Sequence, residues 1–126
     1  MNNNNKIIID LDDTICSTEN GDYENSIPKE NVIKKIKEYK NLGFEIIIYT
    51  SRNMRTYKGN VDLIKANTLP IIIKWLEKFD VPYDQIIVGK PWPSFGGFYV
   101  DDKAIRPDEF VNLTYSEIQK ITNANN

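Results

Sequence analysis

Ile7-Ile8-Ile9-Asp10-Leu11-Asp12-Asp13-Thr14 opens on three β-branched residues and closes on a polar cluster. Three further runs repeat that plan. Glu45-Ile46-Ile47-Ile48-Tyr49 is closed by Thr50-Ser51-Arg52, Gln85-Ile86-Ile87-Val88 by Gly89-Lys90-Pro91, and Phe98-Tyr99-Val100 by Asp101-Asp102-Lys103. Apolar runs that do not alternate predict strands buried on both faces, as in a parallel sheet. Between the first two runs Val32, Ile33, Ile36 and Tyr39 recur at helical spacing, with Pro28 in the first turn and Gly43 just past the end. Between the second and third, Ile72, Ile73, Leu76 and Phe79 mark another helix, with Thr68 as its cap and Pro70 in its first turn. A last short helix is expected from about Tyr115 to Ile121. The order strand, helix, strand, helix, strand, strand predicts an α/β fold. The expected form is a Rossmann-like three-layer α/β/α sandwich with a mostly parallel central sheet and right-handed crossovers.

Length and composition bound the chemistry. The chain has 126 residues, a length that allows one domain over residues 1–126 at about 150 residues per domain. Hydrophobic residues make up 40% and charged residues 27%, an ordinary globular balance that argues against disorder. The net charge of −2 gives no basic excess for nucleic acid or an anionic membrane. No apolar run approaches the ~18 residues of a transmembrane helix. Met1-Asn2-Asn3-Asn4-Asn5-Lys6 lacks the apolar region of a signal peptide, so a cytoplasmic location is expected. Asn2 to Asn5 and Asn123 to Asn126 read as frayed ends. Cys16 is the single cysteine and there is no histidine. Internal disulfides, multi-Cys zinc sites, imidazole-ligated metals and His-based triads are thereby excluded within one chain. Any catalytic acid or base must be a carboxylate, a lysine or a tyrosine.

In open α/β sheets ligands bind outside the carboxyl ends of the strands. Every candidate strand here ends in a group suited to chemistry on phosphate. Asp10 and Asp12 both face a site if the chain coils after the strand. One then serves as nucleophile and the other as acid. Close carboxylates repel, which raises one pKa or recruits a cation. Thr50 and Ser51 offer hydroxyls and backbone N–H groups fit for phosphate oxygens. Lys90, in a stiff turn between Gly89 and Pro91, can neutralise a phosphoryl group. Asp101 and Asp102 would join Asp10 in an oxygen-rich site for Mg2+. Each group taken alone also has a plain reading as a turn, a helix cap or a solvated surface residue. Their convergence is what points to function.

These pieces together resemble the haloacid dehalogenase superfamily, and their order matches. The first run looks like its Asp-x-Asp-x-Thr motif, and Tyr49-Thr50-Ser51-Arg52 like its strand ending in Thr or Ser. Gly89-Lys90-Pro91 looks like its lysine motif, and Phe98-Tyr99-Val100-Asp101-Asp102 like its acid-pair motif. The resemblance covers roughly residues 6 to 105. It implies Asp10 as a nucleophile that forms an aspartyl-phosphate, and Asp12 as the acid and then the base. It implies Mg2+ held by Asp10, the Asp12 backbone carbonyl and Asp101, with Asp102 in support, and phosphoryl oxygens held by Thr50 and Lys90. The second aspartate, Asp12, marks phosphatases and phosphomutases rather than haloalkanoate dehalogenases. The segments Ile15 to Phe44 and Asn53 to Val88 are too short to hold a cap domain. A capless member with an open site is expected, covered at most by another copy in a homo-oligomer. Within the superfamily, the stretches Tyr49 to Thr56 and Gly89 to Trp92 look like short capsular polysaccharide biosynthesis phosphatases. That likeness implies a sugar phosphate or a phosphorylated small alcohol as substrate.

Two loops are candidates for specificity. Ser17 to Ser26 lies next to the first motif. Asn53 to Asn67 is long for an α/β connection and carries Arg55, Tyr57 and Lys58. The three arginines, Arg52, Arg55 and Arg106, all sit near motifs, and Arg52 or Arg55 is expected to contact an anionic part of the substrate. Pairing with surface carboxylates is the plainer alternative. Trp92 is either a platform for a sugar ring or ordinary loop packing. Three other readings of the whole chain stay open. They are a phosphomutase, a receiver-like phosphoacceptor module and a non-catalytic binding domain.

Overall fold

β-Branched runs extend readily, and here they pair. The computed structural model describes residues 4–122. Two compact units make up the chain, Met1–Trp92 and Pro93–Asn126. In the first unit the order is β1 (Lys6–Ile9), β2 (Cys16–Ser17), β3 (Ile27–Pro28), α1 (Glu30–Asn41), β4 (Glu45–Thr50), α2 (Val61–Asn67), α3 (Leu69–Lys78) and β5 (Gln85–Val88). β1, β4 and β5 form a parallel sheet in the order β1-β4-β5, with Ile8 opposite Ile47 and Ile48 opposite Ile86. The fold is therefore α/β with a parallel sheet flanked by helices, as the sequence predicts, and the sheet has three strands where four apolar runs read as strands. β2 and β3 form a separate small antiparallel ladder.

The central strand carries the core. Ile46 and Ile48 are fully buried and Ile47 nearly so, which places apolar side chains on both faces of β4. α1 presents Val32, Ile33, Ile36 and Tyr39 to the interior, the four positions that the spacing picks out. Its end turns on Gly43 at φ +96°, a left-handed conformation suited to glycine. Phe44, next in the chain, packs edge-on to Tyr39 with ring centroids 5.1 Å apart. α3 buries Ile72, Trp75 and Leu76.

Several local expectations change. Pro28 ends β3 instead of opening α1, because helical residues begin only at Glu30. Thr68 is the joint between α2 and α3, and its hydroxyl donates to Asn53 Oδ1 at 2.7 Å in place of capping α3. The stretch after Asn53 holds a helix, α2, whose Asn60 side chain caps it by accepting from Leu63 N–H at 3.2 Å. Asn5 is not frayed, since its carbonyl accepts from Glu45 N–H at 3.0 Å. Asn2, Asn3 and Asn123 to Asn126 lie outside the described residues.

In the second unit the expected strand Phe98-Tyr99-Val100 is absent. This run is irregular, and its side chains are 79%, 52% and 89% exposed. Apolar composition favours a strand only where a neighbour covers it. Just before it, a Cβ at Gly97 would collide with the carbonyl oxygen of Pro93, so that turn closes only on glycine. α4 (Pro107–Asn112) buries Phe110, and α5 (Tyr115–Ile121) matches the expected last helix. A reciprocal cap starts α5, with Thr114 Oγ1 accepting from Glu117 N–H at 3.2 Å and Glu117 Oε1 accepting from Thr114 N–H at 2.9 Å.

At the start of β4, Asp84 locks the sheet to α1. Its Oδ2 accepts from Ile46 N–H at 2.7 Å, and Lys40 Nζ donates to both carboxylate oxygens at 2.6 and 2.7 Å. The Ile46 N–H, and after it Lys40, hold the Asp84 carboxyl below its ordinary value of 3.8. A lowered carboxyl contributes stability above the unfolded-chain pKa, and that contribution is lost as pH falls through the folded value. Asp84→Ala is expected to cost about 1 kcal/mol at about pH 7, discounted for partial exposure, with the difference closing below about pH 4. Urea unfolding of both proteins across that range checks it. A gap that stays constant with pH would count against this source of stability.

Candidate active site

The chain leaves β1 at Ile9 and coils at once. The carbonyl of Leu11 accepts from the N–H groups of Thr14, Ile15 and Cys16 at 3.2, 2.8 and 3.3 Å. Leu11 and Ile15 are fully buried and pin the coil from beneath. Asp13 takes φ +61°, which aspartate tolerates better than most residues. This coil keeps Asp12 close enough to Asp10 for its charge to be felt there. Thr14 Oγ1 donates to Asp10 Oδ2 at 3.5 Å.

β4 and β5 bring the second and third groups to the rim at the same end of the parallel sheet. Thr50 ends β4, and its carbonyl accepts from Lys90 N–H at 3.1 Å, tying the two strand ends together. Gly89 turns the chain at φ +87°, where a Cβ would lie 3.1 Å from Val61 Cγ2. The Lys90 ammonium then lies 4.0 Å from Asp10 Oδ1 and 5.8 Å from the centre of the Tyr49 ring. Burial pushes the Asp10 carboxyl above its ordinary value, and Asp12 adds to the rise. The Lys90 charge, the Leu11 N–H and the Thr14 hydroxyl pull the other way without cancelling it. Asp10 is thus a partly desolvated anion facing a cation. Thr50 is 1% exposed, and its Oγ1 accepts from Arg52 N–H at 3.1 Å. Ser51 is half-buried, and its carbonyl accepts from Met54 N–H at 3.0 Å.

Asp12 has a partner that the sequence reading did not give it. Arg52 Nε donates to Asp12 Oδ2 at 3.0 Å and Nη2 to Oδ1 at 2.8 Å, a two-pronged ion pair. The Arg52 side chain is 1% exposed, so it is no surface arginine. Tyr23, in a short helical turn at Tyr23–Asn25, lies on the guanidinium with 4.2 Å from Cζ to its ring centre. Arg52 Nη1 is buried with no hydrogen-bond partner among the described residues. Such a donor typically costs about 1–3 kcal/mol, so fold stability alone does not account for it. The Ser17 to Ser26 loop is held by Thr18 Oγ1 and Ser26 Oγ at 2.6 Å and by Trp75 Nε1 donating to Ser26 O at 2.9 Å. Thr18 Oγ1 also donates to Asp12 Oδ1 at 3.3 Å. Cys16 Sγ sits 3.6 Å from Asp12 Oδ1, and burial, with help from Asp12, pushes its thiol up to about 11. It is an inert packing group.

Arg55 is exposed, with its Cζ 5.9 Å from the Trp92 ring centre. In the second unit Asp101 and Asp102 are exposed, and Asp101 Oδ1 accepts from Lys103 N–H at 2.8 Å. Among the described residues of the first unit, no three carboxylate or thiol side chains gather into a metal cage. The donor set here still fits Mg2+, which takes one or two carboxylates and completes its shell with water and phosphate oxygens. Asp10 supplies an electron-rich carboxylate at the rim. The Asp12 side chain is engaged by Arg52.

No protein-family model and no curated protein matches the chain. Among solved structures, the crystal structure of a structural-genomics target from Vibrio cholerae matches at 50% identity and a TM-score of 0.92, over 97% of this chain and 99% of that one. The chain belongs to the same family as that Vibrio cholerae protein. A chain of the Pnkp1/Rnl/Hen1 complex matches at 18% identity with a TM-score of 0.51, over 86% of this chain and 34% of that one. The second likeness is one of fold alone. No helix among the described residues is long and apolar enough to cross a membrane.

Proposed function

We propose that the protein is a capless phosphatase of the haloacid dehalogenase type, which hydrolyses phosphate monoesters through an aspartyl-phosphate on Asp10. The observation that carries this reading is the Lys90 ammonium 4.0 Å from the Asp10 carboxylate, at a rim that also holds Asp12 and Thr50. A carboxylate attacking a dianionic phosphate meets strong repulsion. Lys90 offsets it on the protein side. In the first half-reaction an Asp10 oxygen forms a bond to phosphorus, the ester P–O bond breaks, and the leaving oxygen takes a proton from the Asp12 acid. In the second, Asp12 takes a proton from a water that attacks phosphorus, the Asp10–phosphorus bond breaks, and inorganic phosphate leaves. Thr50, Ser51 and Lys90 hold the phosphoryl oxygens. Mg2+ would be held by Asp10 and the Asp12 backbone carbonyl, with water and phosphate oxygens completing its shell, and would supply further neutralisation of phosphoryl charge.

The substrate proposed is a sugar phosphate or a phosphorylated small alcohol of surface or capsular polysaccharide synthesis. The support for it is the likeness of Tyr49 to Thr56 and Gly89 to Trp92 to that group, together with the exposed Arg55 and Trp92 beside each other. Purified protein given Mg2+ and a panel of such esters is expected to release inorganic phosphate, and chelation of the metal is expected to stop it. Release no faster than a protein-free blank across the panel would refute the reading.

A further inference from the structure

We infer that Arg52 is a positioning residue, whose guanidinium, stacked beneath Tyr23, fixes the Asp12 carboxylate for its proton transfers. The inference rests on the phosphatase reading above and adds a residue to it. Arg52 sits two positions past the end of β4, and Asp12 sits in the coil after β1, so the pair bridges the two strand ends. Both prongs of the guanidinium are used, at 3.0 and 2.8 Å, which sets the plane of the carboxylate as well as its place. The groups around Asp12 come from every side. Thr18 Oγ1 donates to Oδ1 at 3.3 Å, Cys16 Sγ approaches it at 3.6 Å, and the Tyr23 ring covers the far face of Arg52.

This placement excludes a simpler role. A side chain 1% exposed and spent on Asp12 through two of its nitrogens is not a surface anchor for a large anionic substrate. A purely structural ion pair would also be served without the ring of Tyr23 and without a buried Nη1 that has no acceptor among the described residues. What the fork supplies is a fixed place and plane for one carboxylate, and proton transfer is a step where a small misplacement is costly.

The test is a double-mutant cycle on kcat. Arg52→Lys keeps the charge and loses the fork. It is expected to lower kcat about tenfold or more with KM changed less than about twofold. In an Asp12→Asn background the same change is expected to alter kcat less than about twofold, because Arg52 acts through Asp12. Equal losses in both backgrounds would overturn the inference while leaving the phosphatase reading intact. A wild type inactive on every ester would overturn both. Should Arg52→Lys fail the check of a cooperative melt, Tyr23→Leu decides. It is expected to lower kcat about threefold in the wild-type background and to leave it unchanged beside Asp12→Asn. An unchanged kcat in Tyr23→Leu would then overturn the inference.

Discussion

Asp10→Asn is expected to release no phosphate from any ester that the wild type hydrolyses and, at about pH 7, to melt at a higher temperature than the wild type. Both effects come from one feature. Asp10 is partly withdrawn from water, and its carboxyl is pushed up mainly by that burial. The folded protein therefore favours the protonated form. That preference contributes stability below the ordinary value of 3.8, and the contribution is lost as pH rises through the raised value. Above the raised value the carboxylate bears the cost of its burial, whereas an asparagine has no charge to desolvate. An amide does not attack phosphorus, so turnover is expected to fall about a thousandfold or more. Phosphate release and thermal melts in chelator, at about pH 7 and about pH 3, check both arms, and the melting difference is expected to shrink at the lower pH. Equal phosphate release would remove Asp10 from the nucleophile's role. A lower melting temperature at neutral pH would mean that its contact with Lys90 outweighs its burial.

Ile48→Ala should have the largest effect on the fold. Ile48 is fully buried in the central strand, opposite Ile9 of β1 and Ile86 of β5. Removing its branch leaves a void on the face of the sheet that Ile48 covers, in a densely packed interior that relaxes only in part. A loss of about 2–5 kcal/mol is expected, against a typical total of about 5–15 kcal/mol. Denaturant unfolding should show a lowered midpoint with an unchanged slope. A loss below about 1 kcal/mol would mean that the core relaxes around the site. The damage would also reach the rim, since Thr50, whose carbonyl holds Lys90 N–H, lies two residues along the same strand.

How far the sequence could be read follows from the physics of each element. β1, β4 and β5 are legible because continuous isoleucine runs have few other stable placements. α1 and α3 are legible because four buried positions in one and three in the other repeat at helical spacing. α2 escapes because only Ile64 is buried in it, and one anchor makes no period. β2 and β3 are two residues each, too short to leave a pattern. Phe98 to Val100 misleads because apolar, aromatic residues suit a strand and an irregular segment alike. At the site, Asp10, Asp12, Thr50 and Lys90 were legible from their places just past apolar runs, and the first unit brings them to one rim. Arg52 stood out by its residue type, but its partner did not, since nothing local links positions 12 and 52. Tyr23 left no signal, because its contact joins a loop without periodicity to a residue 29 positions away. Asp101 and Asp102 read as an acid pair after a strand, and in the second unit they follow an irregular run instead.

A backbone rung from Lys90 N–H to the Thr50 carbonyl ties the ends of β5 and β4 together. The pairing of Thr50 with Lys90 thereby runs through main chain and not through the side chains of residues 54–58. Residues 54–58 can therefore vary while the strand ends beneath stay in register, whereas residues 18–26 carry Thr18 and Tyr23, which hold Asp12 and Arg52, and are tied to the chemistry.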